Sequence, residues 1–164
     1  MNVTVRGRKQ SYRTVAFDRA RNAVLLIEQR LLPHEFKIVA TKNFRETAGA
    51  IRDMIVRGAG AIGATAAYGL AQGALAFPGR DLPKFRRHVE AVYQTLKAAR
   101  PTAVDPVNAM NGVRAVMRAG RTVAEQQSLA LAAAEEFASE DVRHCEEIGR
   151  HGAKIGRASC RERV

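Results

Sequence analysis

Tryptophan is absent, and phenylalanine and tyrosine together make up 5 % of the 164 residues. That leaves few flat surfaces on which nucleic-acid bases could stack, so a single-strand-binding module is disfavoured. Cysteine is nearly as scarce. Cys145 and Cys160 offer neither the spacing of a zinc site nor a disulfide framework. A reduced, cytoplasmic setting without a cysteine metal site follows as the expectation. The opening "MNVTVRGRKQ" has charges but no apolar stretch of the kind that targets a chain for export. Acidic residues are under-represented, 16 against 27 basic ones, for a net charge of +11. Such a balance favours an anionic partner of some kind. The basic residues are scattered, however, and only "RGRK" (Arg6 to Lys9) forms a cluster, read here as a solvated arm. No helix concentrates Lys and Arg on one face beside aromatics, so neither DNA nor RNA is the expected partner. The one long uncharged run, Ala59 to Gly79, is mostly Ala and Gly with Thr65, Tyr68 and Gln72 inside it. It reads as a buried helix rather than a membrane span.

What is present is enough apolar residue, 46 %, for one domain with one core. The first third carries short β-rich runs: "YRTVAF" (Tyr12 to Phe17), "AVLLIE" (Ala23 to Glu28) and "FKIVA" (Phe36 to Ala40). Their spacing predicts a small antiparallel meander of about three strands. From Phe44 the period changes. Phe44, Ala48, Ile51, Met54 and Ile55 recur at helical steps, with Thr41 or Asn43 as cap and Gly58 and Gly60 as the stop. A second helix is expected from about Ala61 to Phe77, apolar nearly all round and therefore central. Its Gly63, Gly69 and Gly73 are tolerable only where neighbours pack closely on them. Further helices are expected over Lys84–Arg100, Pro106–Arg118 and Val123 to about Gly149, the last capped by Thr122. The order is α+β: a small antiparallel sheet followed by a helical bundle.

Residues 56 to 69, "VRGAGAIGATAAYG", contain G-x-G-x-x-G at Gly58, Gly60 and Gly63. The dinucleotide reading of that pattern needs a buried strand before it and an acid ending a second strand after it. The residues before it have helical spacing and carry Arg45, Glu46, Arg52 and Asp53, and the candidate acid, Asp81, sits in the turn "PGRDLP". That context disfavours a dinucleotide. The anion logic survives, because a glycine turn that opens a helix presents free N–H groups at the positive end of a dipole. Arg57 beside it can add a bidentate contact to phosphate. A tight interhelical turn with a solvated arginine is the alternative. The loop "ARPTAVDP" offers Arg100 at a helix end and the Thr102 hydroxyl, although such a segment is often only a helix stop.

Four segments then stand out together: "IEQRLLP" (Ile27 to Pro33), "MIVRGAGAIGATAAYGLA" (Met54 to Ala71), "RPTAV" (Arg100 to Val104) and "EDVRHCEEIGRHGA" (Glu140 to Ala153). In order and spacing the chain resembles the methylthioribose-1-phosphate isomerase family. That family shares a superfamily with the regulatory subunits of the eukaryotic initiation-factor-two exchange factor. The resemblance implies an N-terminal domain over residues 1–153 and a phosphate held by Arg57, Gly58, Ala59 and Arg100. It also implies a methionine-salvage isomerase, a homodimer at full length, that converts an aldose 1-phosphate to a ketose 1-phosphate without metal or nucleotide. The family's catalytic Cys, in a T-x-C-N-A-G-like motif, has no match here, because Cys160 lacks the Asn-Ala-Gly and Cys145 precedes the H-G-A segment. Its catalytic Asp and its Rossmann-like C-terminal domain are also absent from the sequence. The 164 residues alone are therefore expected to be inactive.

Two departures keep alternatives open. Gly60 stands where the family commonly has Pro, and Asp105, Pro106 and Asn108 follow "RPTAV" where it often has Asn and an aromatic. An isomerase of 5-deoxyribose 1-phosphate or ribose 1,5-bisphosphate fits as well, as does a non-catalytic initiation-factor-like regulatory subunit. The final "IGRASCRERV" (Ile155 to Val164) does not continue the family pattern and matches a translated sequencing adapter, with Lys154 at the junction. Residues 154–164 are accordingly read as non-native, the alternative being a natural basic tail.

Overall fold

The computed structural model describes residues 2–5 and 7–161. Strands β1 (Asn2–Val5) and β2 (Arg8–Ser11) form an antiparallel hairpin of their own. Strands β3 (Val15–Asp18), β4 (Ala23–Ile27) and β5 (Ile38–Thr41) form the expected antiparallel meander in the order β3-β4-β5. Five helices follow: α1 (Phe44–Arg52), α2 (Ala59–Leu75), α3 (Leu82–Ala99), α4 (Val104–Met117) and α5 (Val123–Arg161). The α+β order read from the sequence is the observed one.

Strand β4 is buried along nearly its whole length because α2 covers it, with Val24 and Leu26 fully inaccessible. Phe17 of β3 stacks on Tyr68 of α2, ring centres 5.4 Å apart, and joins sheet to bundle. Helix α2 is buried from Ile62 to Ala74 and is packed by α1, α3, α4 and α5. Its glycines are the contact points: a methyl on Gly73 would meet Val92 Cγ1 at 2.6 Å, and one on Gly69 would meet Thr47 Cγ2 at 2.9 Å. Removing those two side chains is what lets α3 and α1 approach the central helix.

Three expectations shift. The "RGRK" segment is not a solvated arm, since Gly7, at a φ of 76°, lies in the hairpin turn and Arg8 opens β2. Arg6 and the side chain of Lys9 lie outside the described residues. Helix α1 ends at Arg52, capped at its start by Asn43, whose Oδ1 accepts from the Arg45 and Glu46 amides. Met54 and Ile55 keep its periodicity but not its backbone, because Met54 takes a left-handed φ of 59°. The glycines therefore do not stop α1. Gly58 caps α2, and Gly60 lies inside its first turn. Helix α5 does not stop near Gly149 but runs through the positions read as non-native, as far as Arg161. At 39 residues it is about 60 Å long. Past Val142 its described side chains are exposed.

Candidate functional site

The site is built around the break between α1 and α2. The stretch that leads into it is tied to the end of the sheet: the Gln29 amide donates to the Ile55 carbonyl at 2.9 Å, and the Ile55 amide donates to Ala50 at 3.0 Å. Val56 is fully buried and fastens the turn to the core. Next to it, Glu28 and Arg30 form a bidentate pair, both contacts 2.7 Å, and Arg30 Nη1 reaches the Asp53 carbonyl at 3.4 Å. This gives the "IEQRLLP" segment a physical task, which is to hold residues 53–55 in place.

Glu28 is buried, and the Arg30 guanidinium beside it holds its carboxyl below the usual carboxylate range. A carboxyl depressed in the fold contributes stability above its unfolded pKa and loses that contribution as pH falls through its folded pKa. In an Arg30→Met variant the buried carboxylate loses the guanidinium and keeps only the residue-30 backbone amide, which donates to Glu28 Oε1 at 3.3 Å. The stability gap between the two proteins should be widest at neutral pH and close as the pH drops through the carboxylate range. Urea midpoints across that range measure it; a gap independent of pH would show that the pair is only packing.

At the turn itself Gly58 has φ 96° and ψ 135°. No side chain caps α2, and its first turn contains no acid. The Ala59, Gly60 and Ala61 amides have no acceptor within the helix. They point out at the positive end of a 17-residue dipole. Two clefts flank this end and share Gly58 and Ala59 in their walls. The larger, about 710 Å³, lies between β2, β3, α2 and α5, and it is lined by Arg13, Gln29, Arg57, Gly60, Asp141 and Glu146 among others. The smaller, about 330 Å³, is lined by Ile62, Arg100, Ala103, Val104, Asp105 and Pro106.

The four residues expected to hold phosphate thus surround one helix end, but from two sides. Arg57 is exposed on the larger cleft. Arg100, the C-cap of α3, is half-buried on the smaller one, its Nη1 3.0 Å from Met54 Sδ. The left-handed turn at Met54 presents that sulfur. Thr102 is exposed and does not line either cleft. Asp141 and Arg13 are additions that the sequence did not reveal. Asp141 sits within the quoted "EDVRHC" segment, but its approach to Gly60 is a tertiary contact. Among the described residues no three His, Cys, Asp or Glu side chains are grouped to hold a metal ion, and no helix is long and apolar enough to cross a membrane.

Comparison with known proteins gives a consistent result. Residues 55–156 match the model of the initiation factor 2 subunit family. A methylthioribose-1-phosphate isomerase of Picosynechococcus is 42 % identical over 135 residues, 82 % of this chain and 39 % of that protein. Methylthioribose-1-phosphate isomerase 1 of Pseudothermotoga lettingae is 35 % identical over 92 % of this chain and 43 % of its own length. The chain therefore spans about two-fifths of the curated relatives it matches. Among solved structures, 5-methylthioribose 1-phosphate isomerase from Pyrococcus horikoshii superposes with a TM-score of 0.83 at 36 % identity, covering 89 % of this chain and 41 % of that one. The delta subunit of translation initiation factor eIF-2B from A. fulgidus gives 0.81 at 32 % identity, over 88 % and 42 %. The R-G-A turn, α2 and α5 as far as residue 156 fall within the matched region, and the chain belongs to the initiation factor 2 subunit family.

Proposed function

We propose that this chain supplies the phosphate-binding half of an aldose–ketose isomerase acting on methylthioribose 1-phosphate in the cytoplasm. The observation that carries the reading is the uncapped start of α2, with Arg57 on one side and Arg100 on the other. The isomerase names borne by the relatives support the substrate. Binding through N–H groups and guanidinium groups orients the sugar without chemistry of its own. The proton transfer between the two sugar carbons requires an acid/base pair in a water-poor pocket. The resemblance assigns that pair to a Cys motif and an Asp motif that this sequence does not match, so the 164 residues alone should not turn over substrate. Exposed Ile38, Val104, Val116, Ile148 and Ile155 are apolar positions available to a further domain or to the second subunit of a homodimer. A non-catalytic regulatory role is the second reading, favoured by the nearly equal superposition on the eIF-2B delta subunit.

In a longer form carrying the downstream coding sequence, Arg57→Ala and Arg100→Ala should each raise KM for methylthioribose 1-phosphate about 10- to 100-fold, the worth of one charged hydrogen-bonded contact. Unchanged KM in both variants would sink the phosphate assignment. Absence of turnover in the longer wild-type form would favour the regulatory reading.

A further inference from the structure

We propose that Asp141 sets the charge preference of this site: its carboxylate is a resident monoanion on the first turn of α2, which a phosphate dianion displaces and a monoanion does not. The inference rests on the reading of that turn as a phosphate site.

The seat exists because residue 60 has no side chain. A Cβ at Gly60 would overlap the whole Asp141 carboxyl group, with even its farther oxygen, Oδ2, only 2.6 Å away. The carboxylate therefore lies against the helix at Gly60, brought there by α5. It is half-buried and lines the larger cleft with Arg57, Gly58 and Ala59. Among the described residues no side-chain hydrogen bond or ion pair fixes it. It is not a capping residue, since α2 has no side-chain cap. It packs against the bare Gly60 Cα beside the positive end of the helix. Other charged groups on this cleft are Arg13, which donates to Ser139 Oγ at 3.3 Å, together with Arg57 and Glu146.

This arrangement has a consequence for selectivity. A formate or chloride ion brings one negative charge and would replace an equal charge that is already tethered, so it gains nothing by exchange. A phosphate monoester carries close to two negative charges and three acceptor oxygens, so it gains both charge and hydrogen bonds when the carboxylate swings away. Gly60, where the chain departs from the pattern it resembles, is then the residue that admits the carboxylate.

The test uses the 164-residue chain labelled with nitrogen-15. The Ala59 amide is followed while inorganic phosphate at pH 8, or formate, is titrated into wild type, Asp141→Asn, Gly60→Ala and the double variant. In wild type phosphate should shift the amide and formate should not. Asp141→Asn should bind phosphate roughly four- to tenfold tighter, the effect of removing one charge a few ångströms away through partly aqueous surroundings, and should respond to formate. Gly60→Ala expels the carboxylate by overlap, so it should change selectivity in the same direction and add nothing to Asp141→Asn in the double variant. Equal phosphate affinity and equal selectivity in wild type and Asp141→Asn would overturn the inference while leaving the phosphate site intact. Weaker phosphate binding in Asp141→Asn would also overturn it, by making Asp141 a ligand. No response of Ala59 to phosphate in any variant would overturn both readings.

Discussion

Replacing Gln72 with leucine should destabilise the protein by about 3–5 kcal/mol, although the side chain is nowhere near the candidate site. Gln72 is fully buried in the middle of the apolar α2. Its Nε2 donates to the carbonyls of Asn22 and Thr41, both at 2.8 Å, and its Oε1 accepts from Thr47 Oγ1 at 2.8 Å. Asn22 returns a bond, from Nδ2 to the Gln72 carbonyl at 3.2 Å. One side chain thus joins α2 to the β3–β4 turn, to the end of β5 and to α1. Leucine fills nearly the same volume, so the loss is not a cavity. It leaves two carbonyl oxygens without their donor in a place water does not reach, each costing about 1–3 kcal/mol. For a chain of this length the melting temperature should fall by roughly 6–20 °C, measured by circular dichroism. A fall of under about 2 °C would mean that water enters and replaces the amide. Thr47 should survive better, because Thr41 Oγ1, at 2.7 Å, and the Asn43 carbonyl, at 3.3 Å, also engage it.

That network also marks where sequence reading reaches and where it stops. Gln72 in an uncharged run looks like a tolerated polar residue, and nothing local says that its partners lie 31 and 50 residues earlier. What was legible depended on neighbours in sequence: the β-branched runs that became β3 to β5, the apolar face of α3, and the all-round apolar α2. The end of α1 was not, because Met54 and Ile55 continue the helical period while a bulky Met takes a left-handed backbone. Tertiary ties, Gln29 to Ile55 and Arg30 to Asp53, accompany that turn against local preference. The β1–β2 hairpin was also hidden, since its strands are only four residues each and carry little apolar alternation. For the candidate site, Arg57, Gly58 and Arg100 announce their chemistry by residue type. Asp141 does not, because a helical acid is ordinary until α5 is folded onto Gly60.

Gly58→Ala should cut phosphate affinity about tenfold, and it isolates a backbone effect from a packing one. Gly58 has φ 96°, a region that L-residues avoid. Nothing lies within 4 Å of where its Cβ would stand, so alanine meets no crowding there. Its only penalty is conformational, about 1–3 kcal/mol. The chain has two ways to meet that cost. It can keep the turn and lose the stability, or it can turn φ negative and rotate the following peptide units. The second route swings the Ala59 and Gly60 amides away from the cleft mouth and separates them from Arg57. Because the surroundings are open, the second route meets little resistance, so the change should appear mainly in binding and less in the urea midpoint. A D-alanine at position 58, introduced by peptide ligation, favours positive φ and should restore phosphate binding to near the glycine value. If L-alanine binds phosphate as well as glycine does, the amides of the α2 turn are not the donors. The anion would then have to be held by the arginine side chains alone.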